Sequence, residues 1–188
     1  MHAALKIQED FMRIEWNDYY KEKLIDVAKE MALAARTAPK GRGRDQLHIV
    51  ILTDNDKDAL ADHMNKIGVE EDIEFFQRDA QNLKSAPVIL LLGTECGPLE
   101  VPHCGFCGFA DCQENRDYGS VPCAFSTGDL GIAIGSAVAY AARRHIDNRI
   151  MFTAGKAAIE LGCFPKLVKV AYGIPLSATG KNPFFDRK

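Results

Sequence analysis

Helical periodicity alternating with short apolar runs predicts an α/β protein, a sheet covered by helices on both faces in three layers. Two observations carry this expectation. Between Asp18 and Ala35, Leu24, Val27, Ala28, Met31, Ala34 and Ala35 fall on one helical stripe while charges fill the other face. Leu47–Leu52 and Val88–Leu92 are too short for helices and too uniformly apolar for half-exposed strands, so both read as strands buried on two faces. The 188 residues, 47% of them hydrophobic, suit a single domain with a sizeable core.

Taken in order, residues 1–16 form a helix or arm whose Leu5, Phe11, Ile14 and Trp16 seek a surface to cover. The helix over 18–35 stops before Pro39, because the residue preceding a proline disfavours helical backbone. A basic, glycine-rich loop from Thr37 to Asp45 leads into the first strand. Asp54 or Asn55 caps a helix over 56–67; a strand over 73–76 and a helix near 79–84 follow. Pro87 opens the second strand, and a cysteine-rich segment hangs off its end. Ser126 and Thr127 are the candidate caps of a helix from Asp129 to about His145. That helix carries Gly131, Gly135 and Ala139 at four-residue spacing, so it is either central or pressed against a second subunit. A helix over 153–161, a core strand over 167–172 and an extended tail with Pro175 and Pro183, laid across a neighbour, complete the chain.

The segment from Cys96 to Cys123 holds five of the six cysteines. Cys104 and Cys107, two residues apart, can turn both sulfurs to one centre, with Gly105 and Gly108 supplying the backbone freedom. Cys112 adds a third thiol and Cys123 or Cys96 a fourth, which makes a four-sulfur cage of the kind that holds an iron–sulfur cluster. Structural zinc is the main competitor, since four cysteines suit it and His103 offers an imidazole, although only one of the usual two knuckles is present. Disulfides are disfavoured in a chain of this size without a signal peptide, and clustered thiols with no targeting segment point to a reducing cytoplasm.

CGFCGFADC with Cys123 following resembles the short four-iron module of electron-transfer and corrinoid proteins. Together with Asp129-Leu-Gly-Ile-Ala-Ile-Gly-Ser-Ala, Asp147-Asn-Arg-Ile-Met, Gly173-Ile-Pro-Leu-Ser and Gly180-Lys-Asn-Pro-Phe-Phe-Asp-Arg, it also resembles a bacterial and archaeal family of uncharacterised ferredoxin-domain proteins. This resemblance implies a [4Fe–4S] cluster on Cys104, Cys107, Cys112 and Cys123, with Cys96 as the competing fourth ligand. The order of elements is similar to the flavin-dependent nitroreductase fold, through Ala34-Ala35-Arg36-Thr37-Ala38-Pro39 with the first strand and through Tyr172-Gly173-Ile174-Pro175, which in that fold is a turn ending the last strand. That likeness implies a homodimer and an FMN whose phosphate end meets Arg36, Thr37, Lys40, Arg42 and Arg44, joined by Lys181 or Arg187. Gly43 and Asp45-Gln46-Leu47 stand where those enzymes carry an asparagine and Gln-Pro-Trp, and their opening Arg-Ser-x-Arg is absent.

Other functions are excluded or left bland. A net charge of −3 gives no electrostatic case for nucleic acid, and no apolar run approaches the roughly 20 residues of a membrane span. No Ser/His/Asp or paired-carboxylate pattern calls for a hydrolase. Asp129 reads as a capping carboxylate, Asp147 and Arg149 as an ion pair, and His48, His63 and His145 as non-catalytic; Cys163 reads as a buried thiol, and Phe106 and Phe109 as shields of the metal site. The expectation is a redox protein passing electrons from the cluster to a flavin, a small acceptor or a partner protein. The alternatives are a non-enzymatic carrier or cluster sensor, and a zinc-stabilised interaction protein.

Overall fold

A computed structural model describes residues 13–185. Leu5, Phe11 and Arg187 lie outside them. Ile14 and Trp16 are exposed rather than covering this chain's core, and Trp16 packs edge-on against Tyr19.

Helix α1 (Trp16–Thr37) opens on a capping box between Glu15 and Asp18 and ends at Ala38, before Pro39. A tight turn at Gly41–Gly43 leads to β1 (Leu47–Thr53), α2 (Asp54–Glu70), α3 (Glu74–Lys84) and β2 (Val88–Glu95). The cysteine segment contributes the short α4 (Cys112–Tyr118), and α5 (Ala124–Arg143), β3 (Asp147–Asn148), α6 (Phe152–Glu160) and β4 (Val168–Ser177) follow. The sheet runs β1-β2-β4-β3 and every pairing is antiparallel.

Strand β2 explains why its sequence is uniformly apolar. Val88, Leu90 and Leu92 enter the layer formed with α1 and α5, while Ile89 and Leu91 enter the layer formed with α2, α3 and α6. Strand β1 has the same composition but lies at the sheet edge; only Leu47 is buried and the rest are half-buried, which corrects the expectation of burial on both faces. On the second face α6 lies directly on β4. A Cβ on Gly155 would sit 1.9 Å from the Ala171 carbonyl oxygen, so only glycine permits this approach.

Further expectations change. Residues 73–76 enter helix α3 instead of a strand, because Phe76, Ala80 and Leu83 share a helical stripe and are all buried. Helix α5 begins five residues before Asp129, with Cys123 as its N-cap and Ser126 and Thr127 inside its first turns. Gly173-Ile174-Pro175 lies within β4 and is not a turn. The Gly173 N–H donates to Met151 at 2.9 Å, so Pro175, two residues on, turns its missing donor to the same side, between Met151 and Asn148, where the ladder is interrupted.

Asp147 and Arg149 do not pair with each other. Asp147 accepts from Asn182 at 3.0 Å, and Arg149 donates to the Phe184 carbonyl at 2.9 Å, so both hold the tail against this chain's own body. Phe184 is buried there at 1% exposure. Helix α5 turns Leu130, Ala133, Ala137 and Ala141 into the core, whereas Gly128, Gly131 and Gly135 face open space. Among the described residues no helix is long and apolar enough to cross a membrane.

Candidate metal centre

The chain leaves β2 at Glu95 and returns to regular structure at α5, and the intervening loop wraps a cavity of about 300 Å³. Cys104, Cys107, Cys112 and Cys123 all line it. Backbone geometry forms the wall. Gly105 and Gly108 have φ of 67° and 89°, and Glu100 and His103 take φ of 59° and 53° in the same left-handed region despite carrying side chains. Short α4 places Cys112 at its first position, with the Asp111 carboxylate accepting the Glu114 N–H at 2.9 Å and the Glu114 carboxylate accepting the Ala110 N–H at 2.7 Å. The buried Asn115 amide donates to the Val121 carbonyl at 3.1 Å and so fixes the return of the chain from Cys112 to Cys123.

Cys96 and Cys123 lie on adjacent backbone, the Cys123 N–H donating to the Cys96 carbonyl at 3.0 Å, yet only Cys123 faces the cavity. Burial pushes the Cys123 thiol up, but the polar backbone of Ser126, Leu99 and Phe125 beside it and the Ser126 side chain outweigh that and bring it below the ordinary cysteine value. The Cys96 thiol sits against β4, where burial raises it and the polar backbone of Lys169 and Val170 opposes that only in part. Cys163 packs half-buried against the second core layer, away from this loop.

The donor set fits a cluster. Four cysteines line one hollow, whose wall is otherwise largely apolar through Leu99, Val101, Pro102, Phe109 and Phe125, with Glu100, His103, Asp111, Gln113 and Arg116 its polar contributors. Among the described residues no three or more His, Cys, Asp or Glu side chains are gathered as one metal ion needs. Phe109 lines the hollow. Phe106 does not: it is 76% exposed and stacks flat on Phe125, with centroids 5.7 Å apart and planes 3° apart.

The basic loop is largely committed to internal bonds. Arg36 pairs with Asp45 at 2.6 Å, and Thr37 donates back to the Leu33 carbonyl at 3.0 Å. The Lys40 ammonium donates to the carbonyls of Arg36 and Ala38 at 2.6 and 2.8 Å, which closes the C-terminal end of α1. Arg42 reaches the cysteine segment and donates to the Leu99 and Glu100 carbonyls, while Arg116 pairs with the Glu100 side chain. Arg44 lines a small crevice with Gln46 and Asp129, and Lys181 lies in the tail beyond β4. The Asp129 carboxylate accepts the Gly41 N–H at 2.8 Å. Sequence reasoning missed these links because their partners lie 57 to 88 residues apart for Arg42 and Gly41. His48 and His63 are not solitary; they pair with Glu95 and Glu160 at 2.9 and 3.0 Å.

Residues 119–187 match a family model described as "Uncharacterized protein containing a ferredoxin domain". An uncharacterized protein of Archaeoglobus fulgidus is 37% identical over 183 residues, covering 94% of this chain and 98% of that protein. Among solved structures, a nitroreductase with bound FMN from Desulfitobacterium hafniense superposes with a TM-score of 0.57 at 14% identity, over 92% of this chain and 82% of its own. A BluB-like flavoprotein from Clostridium difficile gives 0.55 at 21% identity, over 87% and 82%. The three-layer architecture is the nitroreductase fold.

Proposed function

The chain belongs to a family described as uncharacterized proteins containing a ferredoxin domain, and from that premise we propose that it is an iron–sulfur redox protein whose Cys104, Cys107, Cys112 and Cys123 hold a [4Fe–4S] cluster. The observation that carries this reading is that those four cysteines line one largely apolar cavity and Cys96 does not. Such a cluster supplies storage and transfer of single electrons. The chain's own residues do the rest. The polar backbone of Ser126, Leu99 and Phe125 favours the thiolate of Cys123 and so its binding to iron. Asn115, Asp111 and Glu114 hold the loop in shape, and Leu99, Phe109 and Phe125 exclude water.

Electrons leave for a small acceptor or a partner protein. A bound FMN is the second reading, supported by the fold and by the flavin bound in a solved nitroreductase. A flavin phosphate at Arg36, Thr37, Lys40, Arg42, Arg44 and Lys181 would have to draw Arg36 from Asp45 and Lys40 from the end of α1, so the carrier reading is preferred. The exposed glycine face of α5 supports a homodimer. The test is anaerobic purification followed by visible and electron paramagnetic resonance spectra before and after dithionite. The proposal predicts brown protein whose colour bleaches as a paramagnetic signal appears. Colourless protein containing zinc would contradict it, and released FMN would favour the second reading.

A further inference from the structure

The turn at Gly41–Gly43 stands against the wall of the candidate metal centre. A Cβ on Gly41 would sit 2.8 Å from Leu99 Cδ1 and 3.7 Å from Phe125 Cδ1, and both of those residues line the cysteine cavity. Asp129 of α5 fixes the turn by accepting the Gly41 N–H at 2.8 Å. The next residue, Arg42, spends one guanidinium nitrogen on two successive carbonyls of the cavity wall, those of Leu99 and Glu100. Both backbones at this contact are strained: Arg42 has φ of 54° and Glu100 φ of 59°, in the left-handed region. Glycine would occupy the Arg42 backbone at lower cost, so what arginine adds there is its side-chain contact. The two residues it holds lead to two of the four cysteines. Leu99 is buried at 1% exposure with its backbone beside the Cys123 thiol. The Glu100 carboxylate pairs with Arg116 of α4, the helix that begins at Cys112.

We infer that Arg42 is a positioning residue of the metal centre, holding the Leu99–Glu100 backbone so that Cys123 and Cys112 stay at one cavity. This rests on the iron–sulfur reading above. The guanidinium makes charge-assisted bonds that a neutral side chain does not replace. It makes them from a loop outside the cysteine segment, and so braces the centre without being a ligand. An ammonium in the same loop does similar work, since Lys40 donates to two carbonyls at the end of α1. Arg42 is thereby assigned to the metal centre and not to a phosphate.

The test follows iron loss to an excess of chelator from anaerobically purified native, R42M, R42G and R42K proteins. R42M keeps the stem without the donors, R42G suits the left-handed backbone, and R42K returns a cationic donor. Iron should leave R42M and R42G about tenfold faster than the native protein, with R42K closer to native. The unfolding midpoint, followed by far-ultraviolet circular dichroism, should stay native in all three. Native retention in R42M and R42G would overturn the inference. So would R42K losing iron as fast as R42M, because a cationic donor would then have no part. An unfolding midpoint that falls in step with iron loss would overturn it too, since Arg42 would then stabilise the fold at large. Absence of iron from the native protein would instead overturn the iron–sulfur reading, and this inference with it.

Discussion

In the sheet sandwich, Val88 to Leu92 have no exposure at all, and β2 presses them alternately into two helical layers. In the cysteine segment that begins just past the end of β2, Phe106 and Tyr118 stand in solvent and two non-glycine residues take left-handed backbone. The sandwich is held by apolar burial, which is non-directional and cooperative. The segment is held by single hydrogen bonds from Asn115, Arg42 and the α4 caps. The difference teaches that folding and metal retention should be separable. Damage to the sandwich should unfold the chain, whereas damage to the segment should release the metal from a folded one.

The largest expected effect lies in the sandwich. Gly155→Val drives a side chain into the Ala171 carbonyl and should destabilise by more than about 4 kcal/mol, read from the denaturant midpoint. A near-native midpoint would mean that α6 and β4 are not rigidly packed. Next comes Cys107→Ser, which should abolish iron retention because a hydroxyl is a poor substitute for a soft thiolate, while far-ultraviolet circular dichroism stays native. Global unfolding of that variant would erase the distinction between the two regions. Asn115→Ala leaves the Val121 carbonyl without its donor, at a cost of about 1–3 kcal/mol felt within the segment. Faster iron loss to a chelator at an unchanged unfolding midpoint is the outcome that sharpens the comparison.

The smallest effect is electrostatic and belongs to the sandwich surface. Glu160 is held below its ordinary value by Lys156 and, against some burial, by His63. A carboxylate lowered in the folded state adds stability above its unfolded value near 4.5 and loses it as pH falls through the folded value. Glu160→Gln should therefore cost at most about 1 kcal/mol at pH 7, a difference that closes in acid. Unfolding curves at the two pH values check the sign.

Much of the sandwich was legible because burial leaves a period in the sequence. The stripe of α1 and the solid run of β2 name their own environments, and the α/β layering follows from them. The failures came where identical local chemistry has two outcomes. Leu47–Leu52 is as apolar as β2 but lies at an edge, and Ile73-Glu-Phe-Phe reads as a strand until Ala80 and Leu83 extend its stripe into a helix. In the candidate site, the spacing of Cys104, Cys107 and Cys112 was visible, but the choice between Cys96 and Cys123 was not. It depends on which thiol faces the cavity, a property of two chain segments meeting at the end of the sheet. The engagement of Lys40 and Arg36 was equally invisible, because a glycine-rich basic loop looks the same whether its cations face a phosphate or the end of a helix.

The most direct test of the four-thiol centre compares iron in anaerobically purified native, Cys96→Ser and Cys123→Ser proteins. The expected result is about four irons per chain in the native protein and in Cys96→Ser, and almost none in Cys123→Ser. Iron lost from Cys96→Ser but kept in Cys123→Ser would place the fourth ligand on the wrong side of the loop and contradict the account.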